Sequence, residues 1–173
     1  ECVGAIQNAG CNLLRIINDV LEHSQLSTQG ADINHSALDV NDLIMEAIDL
    51  FKEKAEEKQI ELITHVHTNV PTRVIGDAGR LRQILTNLMG ALIRHGSHGE
   101  LVVDVSMEPT GQADRVRFGF SGSAISDDIL KRLRSTSNQP ESSHLSLAIA
   151  EQLVEALQGR MGTLQDQRGA HYW

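Results

Sequence analysis

Aromatic residues are scarce in this chain of 173 residues, where one Trp, one Tyr and three Phe make up 3% of the sequence. A folded core must therefore rest mainly on Leu, Ile, Val and Ala. Long apolar runs are also missing: no stretch of about 18 consecutive apolar residues occurs, so we expect no membrane-spanning helix. Lys and Arg (15) are outnumbered by Asp and Glu (23), and the net charge of −8 argues against a general nucleic-acid binder.

Cysteine occurs only as Cys2 and Cys11, nine residues apart in one predicted helix. At about 1.5 Å of rise per residue this separation is too long for a disulfide, so we expect reduced side chains in a cytosolic protein. The eight histidines show no metal-ligand spacing. His65 and His67 share one face of a predicted strand, but no Cys or acidic residue flanks them in the sequence, so we predict no metal site.

The first 30 residues predict a helix that needs a partner. Their apolar positions step by three and four, as in the a/d seam of a coiled coil. These positions are Val3, Ile6, Gly10, Leu13, Ile17 and Val20. A single helix cannot bury such a seam, so we expect a dimeric helical bundle, with packing on the chain's own domain as the alternative. Since the helical pattern is present from the first residues, we also expect the chain to be part of a longer protein. The polar stretch Ser27–Ser36 is interpreted as a connector.

Residues 31–173 alternate predicted helices and strands. A helix with Asp39 as its N-cap ends in a charged stretch, Lys52–Gln59, that we interpret as a solvated face. Next come a strand (IELITHVH), a short apolar run into a turn (RVIGD) and an amphipathic helix (Leu81–Leu92). A hairpin (ELVVDVSM and DRVRFGF) and a short helix capped by Ser126 follow. The chain then forms a helix ending at Gly159 and two closing strands. This order predicts an α+β fold, a two-layer α/β sandwich with a mixed, mostly antiparallel sheet.

Several strings of the sequence resemble a sensor histidine kinase over nearly the whole chain. LLRIINDVLEHSQLSTQG resembles the second helix of the dimerisation and phosphotransfer domain. GDAGRLRQILTNL, the most specific string, resembles the ATP-binding helix of a GHKL-type catalytic domain. The resemblance implies a hybrid-type sensor, with residues 1–30 in the dimerisation domain and residues 31–173 in the catalytic domain. ATP and Mg²⁺ are the ligands of that family, so its nucleotide motifs can be compared with this sequence one by one.

The magnesium motif of the family, N-L-L-x-N-A, matches the stretch from Asn87 to Leu92, and its second Asn falls on Ala91. Magnesium prefers oxygen ligands in near-octahedral geometry, and a methyl group offers none. Asn87 and Arg94 remain, so the resemblance implies a pocket face that keeps some of its polar residues and has lost the magnesium ligand. We expect a polar stripe on this helix in which Ala91 is the exception.

The first glycine box, D-x-G-x-G in the family, matches the stretch from Phe120 to Ala124. The Asp that would accept a hydrogen bond from the adenine amine falls on Phe120 and the last glycine on Ala124, whereas Gly122 remains. Val116, Phe118 and Phe120 alternate along a predicted strand, so Phe120 should point inward. A phenyl ring in that position would occupy space meant for a base.

The second glycine box has lost all three glycines, whose positions are taken by Ser142, His144 and Ser146. Side chains there obstruct the approach of backbone amides to phosphates, although Ser142 or Ser143 can cap the helix. The preceding loop, Thr136–Glu141, is shorter than a usual ATP lid. No histidine has the sequence context of the family's phosphoacceptor, so we assign no catalytic residue in this chain.

Three nucleotide sites have degenerated while the apolar framework is complete. The sequence therefore favours a pseudokinase, which binds neither ATP nor Mg²⁺ and regulates a partner kinase or phosphorelay through protein contacts. One alternative is an active kinase with an atypical pocket, and the other is a pocket reshaped for another ligand, lined by Arg94, His95, Ser142 and His144.

The resemblance also implies partners and a location. Expected partners are a second copy or a related sensor kinase, bound through the helical bundle, and response-regulator or phosphotransfer domains. No nucleic acid and no membrane contact are expected. The resemblance places the domain in the cytosol, as part of a membrane-anchored bacterial sensor.

Overall fold

The computed structural model describes residues 33–109, 114–126, 129, 142–166 and 169–173. The predicted bundle helix of residues 1–30 lies outside these ranges, and so do the tip of the predicted hairpin and the loop Thr136–Glu141. The division into two domains therefore stays a prediction. Within the described ranges, no helix combines the length and the apolar character needed to cross a bilayer.

Helices and strands alternate along the described part of the chain. In chain order they are β1 (Ser36–Asp39), α1 (Val40–Glu57), β2 (Ile60–Val66), β3 (Arg73–Gly76), α2 (Ala78–His95), β4 (Gly99–Glu108), β5 (Arg115–Ser121), α3 (Ser142–Ala156), β6 (Thr163–Asp166) and β7 (Gly169–Tyr172). The strands form a two-stranded sheet, β1–β3, and a five-stranded sheet in the order β2-β4-β5-β7-β6.

The five-stranded sheet is mixed, as the sequence predicts. β2 pairs in parallel with β4, in a register that places His65 beside Asp104, and the other neighbouring strands are antiparallel. The predicted hairpin is β4–β5, in which Val103 lies opposite Phe120, and Phe120 in turn pairs with Tyr172. The two-layer α+β sandwich is confirmed.

The core lies between the inner face of this sheet and the helices. Along β4, Leu101, Val103 and Val105 are buried, whereas Val102 and Asp104 between them are half-buried, as expected for a sheet with one covered face. α2 packs against both α1 and α3. Its buried residues are Ile84, Leu85, Leu88, Met89, Ala91, Leu92 and Ile93. Aliphatic side chains dominate this core, which agrees with the scarcity of aromatic residues.

α1 begins where the sequence predicts. Asp39 is its N-cap, and the carboxylate accepts hydrogen bonds from the backbone N–H of Asn41 at 2.9 Å and of Asp42 at 3.3 Å. The interpretation of Lys52–Gln59 as a solvated face is wrong in part, because Ala55 is buried and Lys58 is half-buried. The apolar stripe of the helix continues through Ala55, one turn beyond the last large apolar residue.

Two short strands lie where the sequence predicts irregular structure. The predicted connector ends at Ser36, where β1 starts, and the run from Arg73 to Gly76 forms β3 instead of leading directly into a turn. The two strands pair in antiparallel fashion, from Ser36 with Gly76 to Asp39 with Arg73. Strands of four residues carry little periodicity, and this pairing joins segments far apart in the sequence, so local patterns do not indicate it.

α2 starts at a buried carboxylate. Asp77, its N-cap, is 8% exposed and accepts hydrogen bonds from the backbone N–H of Arg80 at 3.0 Å and of Asn34 at 2.9 Å. Burial raises the pKa of Asp77, but these hydrogen bonds and the Arg80 charge outweigh it, so the pKa lies below the usual carboxyl value. Asp77 therefore ties the start of α2 to the segment before β1.

Replacing Asp77 tests this cap. We expect Asp77→Ala to lower the free energy of unfolding by about 1–2 kcal/mol at neutral pH, because two backbone donors lose their acceptor. Since the folded pKa is depressed, this contribution is present above the unfolded pKa of about 3.9 and is lost as pH falls through the folded pKa. Urea unfolding of wild type and variant at neutral and at acid pH measures the difference. An equal difference in the free energy of unfolding at the two pH values would contradict the assignment of Asp77 as the cap. Asp77→Asn keeps one oxygen acceptor, so its stability at neutral pH should lie between those of wild type and Asp77→Ala.

Candidate functional site

The C-terminal half of α2 carries the residues that match the magnesium motif. Asn87, Arg94 and His95 are half-buried, and Arg94 and His95 interact with other groups of the protein. Ala91 is 1% exposed and belongs to the hydrophobic core. The expected polar stripe is thus interrupted by a residue that packs inward, and the position that would hold a magnesium ligand is part of the core.

The end of α2 is held by a residue that the sequence interpretation missed. Lys58 follows α1, and its Nζ donates hydrogen bonds to the backbone carbonyl oxygens of Arg94 and, at 3.3 Å, Gly96. A cation at the C-terminus of a helix satisfies free carbonyls and complements the helix dipole. The contact joins residues 36 and 38 positions apart, so nothing in the local sequence indicates it.

Phe120, the site residue on β5, is fully buried. It is 1% exposed and is among the largest fully buried side chains of the described residues. Val116 and Phe118 pack against the same core, so the predicted inward direction of Phe120 is confirmed. The phenyl ring lies where the resemblance places the carboxylate that recognises adenine.

Gly122 is retained for a reason of backbone geometry. Its φ is +122°, and a Cβ built on it would lie 2.2 Å from the carbonyl oxygen of Glu100. The same carbonyl accepts a hydrogen bond from the N–H of Ala124 at 3.0 Å, and the N–H of Glu100 donates to Oγ of Ser123 at 3.0 Å. These two hydrogen bonds hold the turn after β5 against the start of β4.

The second glycine box is described only in part. Ser146 is 3% exposed and makes interactions within the protein, so it contributes a buried polar group at the start of α3. The side chains of Ser142, Ser143 and His144 lie outside the described residues, as does the loop Thr136–Glu141. The predictions about capping and about the length of the lid stay predictions.

The residues at two of the three nucleotide motifs do not fit ATP and Mg²⁺ in the arrangement that the resemblance implies. Ala91 and Phe120 offer neither oxygen nor nitrogen in their side chains, and both are buried. A magnesium ion requires oxygen ligands, and recognition of an exocyclic amine requires a hydrogen-bond acceptor. The structure supplies neither at these two positions.

A cavity of about 680 Å³ lies beside Phe120. Its lining also includes Val74 on β3, Leu81 in the first half of α2, Met107 on β4 and Trp173. Of the described residues in the nucleotide motifs, Phe120 lines this cavity, whereas Asn87, Ala91, Arg94 and Gly122 do not.

The structure also adds a carboxylate to the histidine pair. Asp104 projects from β4 beside β2, and its Oδ1 lies 3.0 Å from Nδ1 of His65 and 3.1 Å from Nε2 of His67. No Cys or acidic residue flanks the two histidines in the sequence. The parallel register of β2 and β4 brings one from the neighbouring strand.

Residues 76–173, more than half of the chain, match the family model described as histidine kinase-, DNA gyrase B- and HSP90-like ATPase. The chain belongs to this family. The matched region contains α2, the β4–β5 hairpin, α3 and the closing strands. The residues at the three nucleotide motifs of this histidine-kinase domain therefore all lie within the match.

Individual relatives agree with this assignment. The sensor protein GacS of Pseudomonas syringae pv. syringae is 28% identical over 100% of this chain and 20% of its own length. The crystal structure of full-length ShkA in complex with AMPPNP is similar with a TM-score of 0.82 and 30% identity, covering 99% of this chain and 37% of that one. The chain thus spans 20% of the length of GacS and 37% of the length of ShkA.

A more distant structure shows the fold alone. The histidine kinase ThkA, solved in complex with the response regulator TrrA, is similar with a TM-score of 0.66 and 24% identity, over 98% of this chain and 48% of that one. The family match, GacS and ShkA identify the chain as a catalytic-type domain of a two-component histidine kinase.

Two glycines on or beside β5 of the kinase domain provide a matched test of the turn. We expect Gly122→Ala to lower the free energy of unfolding by about 2 kcal/mol or more, because the new Cβ meets a backbone carbonyl at a positive φ. Gly119→Ala is the control, since its Cβ would lie no closer than 3.6 Å to the neighbouring atoms, and it should change stability by less than about 1 kcal/mol. Chemical denaturation measures both. Equal losses would show that the turn is not fixed as described.

Proposed function

We propose that this histidine-kinase domain does not bind ATP and Mg²⁺ in the manner of its family, and that it acts through protein–protein contacts on a partner kinase or a phosphorelay. The observation that carries the proposal is the burial of Phe120, at the position that the resemblance assigns to the adenine-recognising carboxylate. The proposal includes a cytosolic location, as part of a longer sensor protein.

The energetics of Phe120 support an emptied nucleotide site. Burying a phenyl side chain stabilises a fold by roughly 1.5–3 kcal/mol, so the ring contributes to stability where a carboxylate would contribute to recognition. Its neighbours across the strands, Val103 and Tyr172, are buried as well. Adenine would have to displace this packing and would still find no acceptor for its amine.

The position of Ala91 supports the same conclusion independently. It belongs to the core cluster on α2, whereas the two other members of its predicted stripe, Asn87 and Arg94, keep partial exposure. Mg²⁺ binds reluctantly without several well-placed oxygen ligands. The two losses affect different parts of the nucleotide, so neither residue compensates for the other.

An active kinase with an atypical pocket is the second candidate. It is favoured by the likeness to ShkA, a structure at 30% identity that contains AMPPNP. In that case the remaining polar residues Asn87 and Arg94 would carry the binding. Glu151, exposed on α3, would be a candidate metal ligand, as would Asp127, which lies outside the described residues.

Calorimetric titration and thermal unfolding with ATP or ADP, each with and without Mg²⁺, separate the two candidates. A ligand at a hundred times its Kd stabilises the folded state by about 2.7 kcal/mol, which a melting curve detects readily. We expect no saturable heat and no shift in melting temperature. Magnesium-dependent binding that is weakened in Asn87→Ala would contradict the proposal and support the active kinase. A nucleotide-binding histidine-kinase domain, measured alongside, verifies the assay.

The proposed protein contacts begin with the heptad seam of residues 1–30. We expect Leu13→Glu combined with Ile17→Glu to yield a folded monomer, because two charges in an a/d seam cannot be buried in a bundle. Asn8→Glu with Asn12→Glu is the matched control, since both positions face away from the seam. Light scattering measures the mass of each, and a wild-type chain that is monomeric at high concentration would contradict dimerisation through this segment alone.

A response regulator is the second kind of partner in this proposal. ThkA has been solved in complex with one, and a domain without nucleotide chemistry can still present such a docking surface. Binding of a response-regulator domain to the chain in the absence of nucleotide is the expected result in a pull-down with purified components.

A further inference from the structure

His65, His67 and Asp104 form a compact cluster on the outer face of the five-stranded sheet. Oδ1 of Asp104 lies 3.0 Å from Nδ1 of His65 and 3.1 Å from Nε2 of His67. The two imidazole rings are 4.5 Å apart between centroids, and one ligand atom from each residue lies within 4.8 Å of the others. Among the described residues, no second group of His, Cys, Asp and Glu gathers in this way.

We propose that this cluster is a binding site for a divalent transition metal of the zinc class. Two imidazole nitrogens and one carboxylate oxygen are a ligand set that suits Zn²⁺, Ni²⁺ or Cu²⁺, whereas Mg²⁺ prefers oxygen alone. Three protein ligands leave a further coordination position for water or for a group from another molecule.

The distances between the ligand atoms agree with such a site. With metal–ligand bonds of about 2.0–2.1 Å in a tetrahedral arrangement, neighbouring ligand atoms lie about 3.3 Å apart. The two contacts of the Asp104 carboxylate, at 3.0 and 3.1 Å, are within a few tenths of an ångström of that spacing. The third distance, between the two imidazole nitrogens, is no more than 4.8 Å. Side-chain rotations that bring all three atoms to about 3.3 Å from one another would replace the present hydrogen bonds by coordination to one ion.

The backbone holds the three residues in place. His65 and Asp104 are direct neighbours in the parallel β2–β4 ladder, and His67 follows two residues later, with its N–H donating to the carbonyl oxygen of Val105 at 2.9 Å. His65 and Asp104 lie on paired strands, which position ligands more precisely than loops do, and His67 directly follows the last residue of β2. An ion bound here would join the edge strand β2 to its neighbour through side chains as well as through the ladder.

The site is open to solvent and separate from the nucleotide motifs. The side chains of His65, His67 and Asp104 are 62%, 43% and 37% exposed, so an ion can reach them without any rearrangement of the core. Phe120 lies on the opposite face, since it pairs with the buried Val103 rather than with Asp104. The proposal therefore holds whether or not the domain binds ATP.

Titration of Zn²⁺ followed by calorimetry and thermal unfolding tests the site. The whole chain is used with Cys2→Ser and Cys11→Ser, so that the thiols cannot contribute. We expect one Zn²⁺ per chain, a raised melting temperature and no comparable effect of Mg²⁺. Asp104→Asn should weaken Zn²⁺ binding at least about tenfold, because even outer-shell changes cost 10–100-fold in affinity.

Matched controls make the outcome decisive. His35 and His98 are exposed and lie outside the cluster, so His35→Gln and His98→Gln should bind Zn²⁺ as the parent does. Affinity that is unchanged by Asp104→Asn, or an absence of one-to-one binding in the parent, would overturn the proposal. His67→Gln is the second variant, and circular dichroism of each variant verifies that a loss of binding is not a loss of folding.

Discussion

The seating of α2 on the inner face of the five-stranded sheet is the contact on which the rest of the molecule depends. The helix contributes seven buried residues and packs against both neighbouring helices. Each end is anchored by a charged side chain from another segment or from its own cap: Asp77 at the start and Lys58 at the end. Both side chains bind backbone groups that would otherwise be unsatisfied. These contacts fix α2 along its axis, and the packing of its buried residues fixes it sideways.

The packing around α2 preserves the fold of the family without preserving the residues that the family uses to bind a nucleotide. Ala91 and Phe120 stand at positions that the resemblance assigns to nucleotide binding, yet both take part in the packing around α2. Gly122, the glycine that remains in the first glycine box, is required by the close approach of its backbone to Glu100. Membership of the family therefore follows from residues that hold the fold, and it says little about the residues that would hold a ligand.

The parts of the structure that follow from local patterns could be predicted from the sequence. The stripe of α2, the β4–β5 hairpin and the inward direction of Phe120 all depend on periodicity within one element. The pairing of β1 with β3, the bond from Lys58 to the end of α2 and the approach of Asp104 to His65 depend on contacts between distant segments. Periodicity shows which face a residue occupies, but it does not show which strand lies beside that face.

The burial of Phe120 limits which side chains this position can accept. Placing a carboxylate at position 120 in the present core would bury a charge among Val103, Tyr172 and the helices, at a cost of several kcal/mol. A protein of this size is stable by only about 5–15 kcal/mol in total. A single substitution that places a carboxylate at position 120 would therefore remove a large share of this stability, unless neighbouring core residues became more polar first.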